Sequence, residues 1–127
     1  MATTNAIVIQ GTVQFPPDEG QPAVPVPFGL SSSYSSVVDS KLVMVGSGSQ
    51  VVPFGTVGSP GAKAMLVEYE QQVGAPPVQL RINGGSDNLE LSPGGFICLG
   101  SPAPAVGITS LTIVRTADAT IRVRLFG

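Results

Sequence analysis

The sequence predicts an all-β protein: a two-sheet β-sandwich of the jelly-roll kind with about eight to ten strands. Three observations predict it. Apolar residues recur at every second position in several segments, the period of a strand with one buried face. Clusters of Gly, Pro and Ser break the chain about every ten residues. No stretch carries the 3.6-residue period of an amphipathic helix. An immunoglobulin-like sandwich is the second candidate, without its Cys-Trp-Cys core because the chain has no Trp.

The pattern is plainest at Val78, Leu80 and Ile82, which alternate with Gln79, Arg81 and Asn83. Asn83-Gly84-Gly85 then tolerates positive φ and turns the chain back, and Leu89 and Leu91 resume the alternation around Glu90. Ser92-Pro93-Gly94-Gly95 punctuates again. This is a hairpin followed by a second turn.

From the start of the chain, residues 1–5 are polar and read as a flexible N-terminal arm, with residues 6–127 as a single sandwich domain. Ile7, Ile9, Val13 and Phe15 share one parity with Gly11 between them, a first strand with a bulge or close approach at the glycine. Residues 16–22 are a loop. Val24, Val26, Phe28 and Leu30 alternate with Ala23, Pro25, Pro27 and Gly29. Proline cannot donate to a ladder, so this segment belongs on a sheet edge. The run 31–36 fits either an extended polar strand or a loop. Residues 41–45 and 50–54 read as a hairpin around Gly46-Ser47-Gly48. Val-Pro-Phe-Gly occurs at 26–29 and again at 52–55, but no longer similarity surrounds the two copies, which favours coincidence over a repeat.

Residues 64–69 (AMLVEY) are apolar on both parities, as in a central strand covered on both faces, and 96–99 (FICL) read the same way. Residues 108–114 and 119–126 are two closing strands around Thr116-Ala117-Asp118. In the last, Ile121, Val123 and Leu125 face inward and Arg122 and Arg124 outward.

At 127 residues the chain is one domain, able to bury roughly two-thirds of its unfolded surface. Only 11% of residues are charged, against about 25% in an ordinary soluble domain. Such a surface offers little electrostatic repulsion and suits lasting contact with other proteins. The net charge of −2 argues against direct nucleic-acid binding, and no aromatic residues interleave with Arg81, Arg115, Arg122 and Arg124. There is no basic n-region of a signal peptide and no 18-residue apolar run to span a membrane. The expected setting is the cytoplasm in which the chain is made.

The absence of His removes the commonest general base, the Ser-His and Cys-His pairs and the usual zinc ligand. Glu68 and Glu70 lie on one face of a strand, a spacing that serves glycoside hydrolysis or a hard cation, but a solvated strand face explains them better. Residues 84–88 share Gly and Asp with calcium-binding loops but lack EF-hand spacing, and a turn in which Asp87 caps its own backbone is the simpler account. Cys98, the single cysteine, sits among Phe96, Ile97 and Leu99 and reads as a small apolar residue. The pattern assigns no catalytic, cofactor-binding or metal-binding residue, and the expectation is a non-enzyme without a cofactor.

The C-terminal half combines Asn83-Gly84-Gly85, the run 89–95, the run 107–112 and an arginine-bearing last strand ending Leu125-Phe126-Gly127. In that order these pieces resemble small jelly-roll structural proteins of tailed-bacteriophage virions, particularly capsid cement or decoration proteins. The resemblance covers about half the chain and lies in the order of turns, and similar segments occur in tail- and fibre-associated phage proteins. It implies no catalysis and a homo-oligomer, dimer or trimer, bound to the major capsid protein on the outer shell of the virion, where it reinforces capsomer contacts. The reading from another class is a jelly-roll carbohydrate- or receptor-binding module. With two Tyr, five Phe and no Trp, the chain is poor in the aromatics that such sites use.

Overall fold

The computed structural model describes residues 5–58, 61–86, 89–101 and 107–127. The fold is all-β, as the alternation predicts. Ten strands follow in order: β1 (Asn5–Phe15), β2 (Val24–Tyr34), β3 (Val37–Met44), β4 (Gly48–Val51), β5 (Ala64–Tyr69), β6 (Val78–Ile82), β7 (Leu89–Leu91), β8 (Phe96–Gly100), β9 (Leu111–Arg115) and β10 (Ala119–Phe126). The one helical element among the described residues is a single 3-10 turn at Gly55–Gly58.

Strands β3 to β10 make two four-stranded antiparallel sheets, ordered β3-β10-β5-β8 and β4-β9-β6-β7. Both sheets turn one face into a shared core. Met65, Val67, Ile121, Val123 and Leu125 come from the first, and Val78, Leu80, Leu91, Leu111 and Ile113 from the second. The inward parity of β10 is as expected, with Ile121, Val123 and Leu125 fully buried. The pairings β3–β10, β4–β9, β5–β8 and β6–β7 are those of one long ribbon, its tip at the turn after β6, rolled so that successive segments alternate between sheets.

That wiring corrects two expectations. Residues 41–54 do not form a hairpin: β3 pairs with β10 and β4 with β9, so the Gly46-Ser47-Gly48 turn carries the chain across the core from one sheet to the other. A tight glycine turn looks the same in sequence whichever job it does. Nor is the 96–99 run covered on both faces. β8 is an edge strand, with Phe96 66% exposed and Ile97, Cys98 and Leu99 half-buried. The 64–69 run is interior to its sheet, between β10 and β8.

Other boundaries move less. The 31–36 run is strand as far as Tyr34. Of the 108–114 segment, Leu111 onward is strand, while Ile108 forms a lone bridge with Ala62. The two Val-Pro-Phe-Gly copies have unlike structures: Phe28 lies in exposed β2, whereas Phe54 is buried just before the 3-10 turn. Asp87 and residues 1–4 lie outside the described residues, and Asn5 opens β1.

The turn after β6 is held by a clamp. Asn83 takes a left-handed φ of 55°, which Asn tolerates better than most residues. Its Oδ1 accepts from Thr109 N (2.7 Å), Thr109 Oγ1 (3.1 Å) and Ser110 N (3.4 Å), and its Nδ2 donates to Gly107 O (3.3 Å). One side chain thus fastens the ribbon's tip to the segment entering β9.

β1 and β2 form a two-stranded sheet of their own, in full register from Asn5↔Tyr34 to Phe15↔Val24. The two 11-residue strands span roughly 35 Å at about 3.3 Å per residue. Contacts with the sandwich gather at the base of this arm. Ile7 is buried there, Lys63 Nζ donates to Ser33 O (2.9 Å), Ser35 N donates to Gly127 O (3.0 Å), and Tyr34 meets Phe126 edge-on with centroids 5.4 Å apart. Leu30 closes over Gly100, where a β-carbon would collide with it.

Leu125→Ala should destabilise the protein by about 2–5 kcal/mol in urea titrations followed by far-UV circular dichroism, through lost burial and a residual cavity. Val43→Ala, in the neighbouring strand at 70% exposure, should change little.

Candidate functional site

Two surfaces outside the core concentrate features that packing alone does not require. The first is the outer face of the β3-β10-β5-β8 sheet. Register sets Lys41, Arg122, Glu68 and Phe96 in one row across it and Asp39, Arg124, Leu66 and Cys98 in the next. Arg122 grips Asp39 with two bonds, Nε to Oδ1 at 3.0 Å and Nη2 to Oδ2 at 2.9 Å. Arg124 lies 3.7 Å from the same carboxylate and donates from Nη1 to Glu68 Oε1 at 2.5 Å. The result is a chain, Arg122–Asp39–Arg124–Glu68, on a face whose side chains are 30–46% exposed.

The hydrogen bond from Arg122 holds the Asp39 carboxyl below its ordinary value, against a smaller opposing effect of desolvation and with the nearby guanidinium charges assisting. Asp39 raises Arg122 in return. Both shifts fix the groups in their charged forms. Proton transfer near neutral pH needs a carboxyl pushed the other way.

Beside this network runs a groove of about 580 Å³, lined by Lys41, Glu68, Glu70, Gln71, Phe96 and Thr120 among others. Glu68 and Glu70 therefore do meet on one surface, but Glu68 is already engaged by Arg124. No group of three or more His, Cys, Asp or Glu able to hold a metal occurs among the described residues. Tyr69 points into the core, where burial raises its phenol and its hydroxyl donates to Pro76 O at 3.1 Å. Cys98 lies half-buried on the outer face, and burial pushes its thiol up, away from the reactive thiolate. The arginines do not pool into a cationic patch. Arg122 and Arg124 are spent on carboxylates, and Arg115 turns to the far end of the sandwich.

At that end Asp118 Oδ1 accepts from Gly46 N at 2.6 Å, tying the β9–β10 turn to the β3–β4 crossing. Arg115 Nη2 reaches Val45 O at 3.4 Å, whereas its Nε and Nη1 are buried with no hydrogen-bond partner.

The second surface is the arm. Its strands carry no charged residue, and one face is more apolar than the other. Register puts Ile7, Ile9, Gly11, Val13 and Phe15 with Leu30, Phe28, Val26 and Val24 on one face. The other bears Val8, Gln10, Thr12 and Gln14 with Ser31, Gly29, Pro27 and Pro25. A β-carbon at Gly11 would lie 2.6 Å from Phe28 Cζ, so the ring is laid across the glycine. Near the base, Ile9, Phe28 and Leu30 border a hollow of about 200 Å³ with Cys98 and Gly100. Beyond it the apolar face is open: Val13, Phe15, Val24, Val26 and Phe28 are 43–52% exposed. The alternation of both strands was legible in sequence; that they would leave the sandwich and pair with each other was not.

No family model, curated protein or solved structure matches the chain. Among the described residues no helix is long and apolar enough to cross a membrane.

Two predictions follow from the charges. Asp39→Asn should lower stability at neutral pH, because a depressed folded pKa contributes stability that is present above the unfolded value. That contribution is lost as pH falls past the ordinary 3.8, so melting curves of the two proteins should converge in acid. They should also converge in high salt. Arg115→Leu should leave the melting temperature unchanged or raise it, since it removes buried N–H groups without partners.

Proposed function

We propose that this chain is a non-enzymatic structural protein that binds the outer capsid surface of a tailed bacteriophage and reinforces capsomer contacts. The observation that carries the assembly part is the arm: 22 strand residues without a charge, projecting from a sandwich that has no need of them for its own core. A free two-stranded ribbon is marginal in water, so an arm of this kind makes sense when another surface completes it. Two charged groups of the groove, Glu68 and Arg122, are each held by an oppositely charged neighbour, which suits a protein that holds a position more than one that performs chemistry. The paired-halves wiring of β3 to β10 supports a jelly-roll form of the sandwich. The capsid as partner comes from the resemblance of the C-terminal half to cement proteins.

Phe96 favours a second reading. It stands 66% exposed at the groove's margin beside Glu70 and Gln71, an aromatic platform with polar neighbours of the sort that glycan-binding modules present. Chemical-shift titration with a panel of cell-surface oligosaccharides tests it, and saturable shifts abolished by Phe96→Ala would favour it.

The main reading is tested by quantitative mass spectrometry of purified particles. A copy number in fixed proportion to the major capsid protein is expected. A few copies per particle would move the protein to the tail or fibres, and absence would end the virion assignment.

A further inference from the structure

We infer that the open apolar face of the β1–β2 arm is the contact between two copies of this chain, packed arm on arm about a two-fold axis. The inference deepens the assembly reading above by naming the partner and the surface.

The amount of open surface is the first argument. At 43–52% exposure, Val13, Phe15, Val24, Val26 and Phe28 leave on the order of 400 Å² of apolar side chain uncovered. That is the size of the largest apolar patch on a typical monomer, which is often functional. Covering it on both copies removes about half of the ~800 Å² per partner of a standard stable interface, with the polar rim of the arm adding to that.

The second argument is self-complementarity. An arm without charge has nothing to repel its own image and nothing to attract a charged partner. Three rows make up the open face: Phe15 with Val24, Val13 with Val26, and Gly11 with Phe28. A two-fold axis through the Val13–Val26 row lays the first row of one copy on the third row of the other. Phe15 of each then meets Phe28 of its mate, an aromatic pair at both ends of a valine centre. The ring folded over Gly11 leaves that row no deeper than its neighbours, so the face stays even enough for sheet-on-sheet packing.

The third argument concerns the edges. The ladder runs unbroken past Pro25 and Pro27, which lack an N–H, so both must turn toward the free edge of β2. That edge is blocked to further strands. The other face, with its glutamines, serines and prolines, is suited to water apart from the exposed Val8. β1's outer edge is unpaired among the described residues, and the apolar face is the surface that water disfavours most.

Sedimentation equilibrium of the full chain tests this directly. The wild type should be a dimer at tens of micromolar, and Val26→Asp should raise the dissociation constant at least about 100-fold by placing a charge at the axis. Thr12→Asp, one residue along on the opposite face, should leave the dimer intact. Phe15→Ser at the tip provides a second disruptive variant should Val26→Asp fail to fold, with the sandwich monitored by the near-ultraviolet signal of buried Tyr69. A monomeric wild type, or a dimer indifferent to Val26→Asp and Phe15→Ser, overturns the inference. A dimer lost equally with Thr12→Asp also overturns it. Co-sedimentation with purified capsids separates the two claims: a dimer that ignores capsids refutes the virion assignment and leaves the arm contact standing.

Discussion

The position of β10 is the constraint on which the rest of the structure depends. It pairs with β3 along one side, from Ala119↔Met44 to Phe126↔Val37, and with β5 along the other. Its inward residues meet the core at zero exposure, and its outward Arg122 and Arg124 hold carboxylates on both flanking strands. Register here decides everything else on that sheet. A shift of one residue would bring the arginines into the core and the branched side chains into water, a difference of many kcal/mol in buried charge alone. The cross-strand ion pairs are worth little energetically at this exposure. They matter because they are compatible with one register only.

What the sequence discloses and what it hides follow from the range of the interaction involved. Alternation is a local property, so Ile121, Val123 and Leu125 are identifiable as inward residues without any knowledge of their neighbours. Pairing is not local. Gly46-Ser47-Gly48 signals a turn, but whether the chain returns along β3 or crosses to the other sheet depends on β9 and β10, some 70 residues later, whose Asp118 holds Gly46 in place. Phe96 to Leu99 misleads for a related reason. Of its outward positions, Cys98 lies against the base of the arm, which partly shelters it without a second sheet above, while Phe96 stands in the open. Asn83 is visible as a turn residue, yet its four bonds to residues 107–110 carry no sequence signature, because any polar group that happened to lie opposite would serve.

The same logic applies to the candidate site. Glu68 and Glu70 were recognisable as sharing a face, and they do share a groove. What changes the meaning of Glu68 is Arg124, brought diagonally across from it by the β5–β10 register and invisible at a sequence distance of 56 residues. With its Oε1 taken up by a guanidinium, Glu68 is a bound partner on the sheet and not a free carboxylate beside Glu70. Identity of residue type suggests chemistry; the partner brought in by the fold decides it.

The arm presents the opposite problem, a piece of structure that the sandwich does not explain. Its base is well secured by Leu30 over Gly100, by the Tyr34–Phe126 ring contact and by the bonds around Gly127. Those contacts reach only as far as Ile9 and Phe28. Past them the ladder runs on for several residue pairs with solvent on both faces and an apolar surface that gains nothing from being there. Each ordered residue costs on the order of 1–2 kcal/mol of backbone entropy, which one ladder bond per residue does not recover in water. Proline at 25 and 27 reduces that cost by restricting the unfolded chain, and the Phe28 ring over Gly11 compensates a glycine that would otherwise weaken the strand. These features make the ribbon easier to hold in shape before it meets anything. A surface whose strands are already paired loses less entropy on association than one that must be ordered first, which is consistent with the proposed contact through the arm.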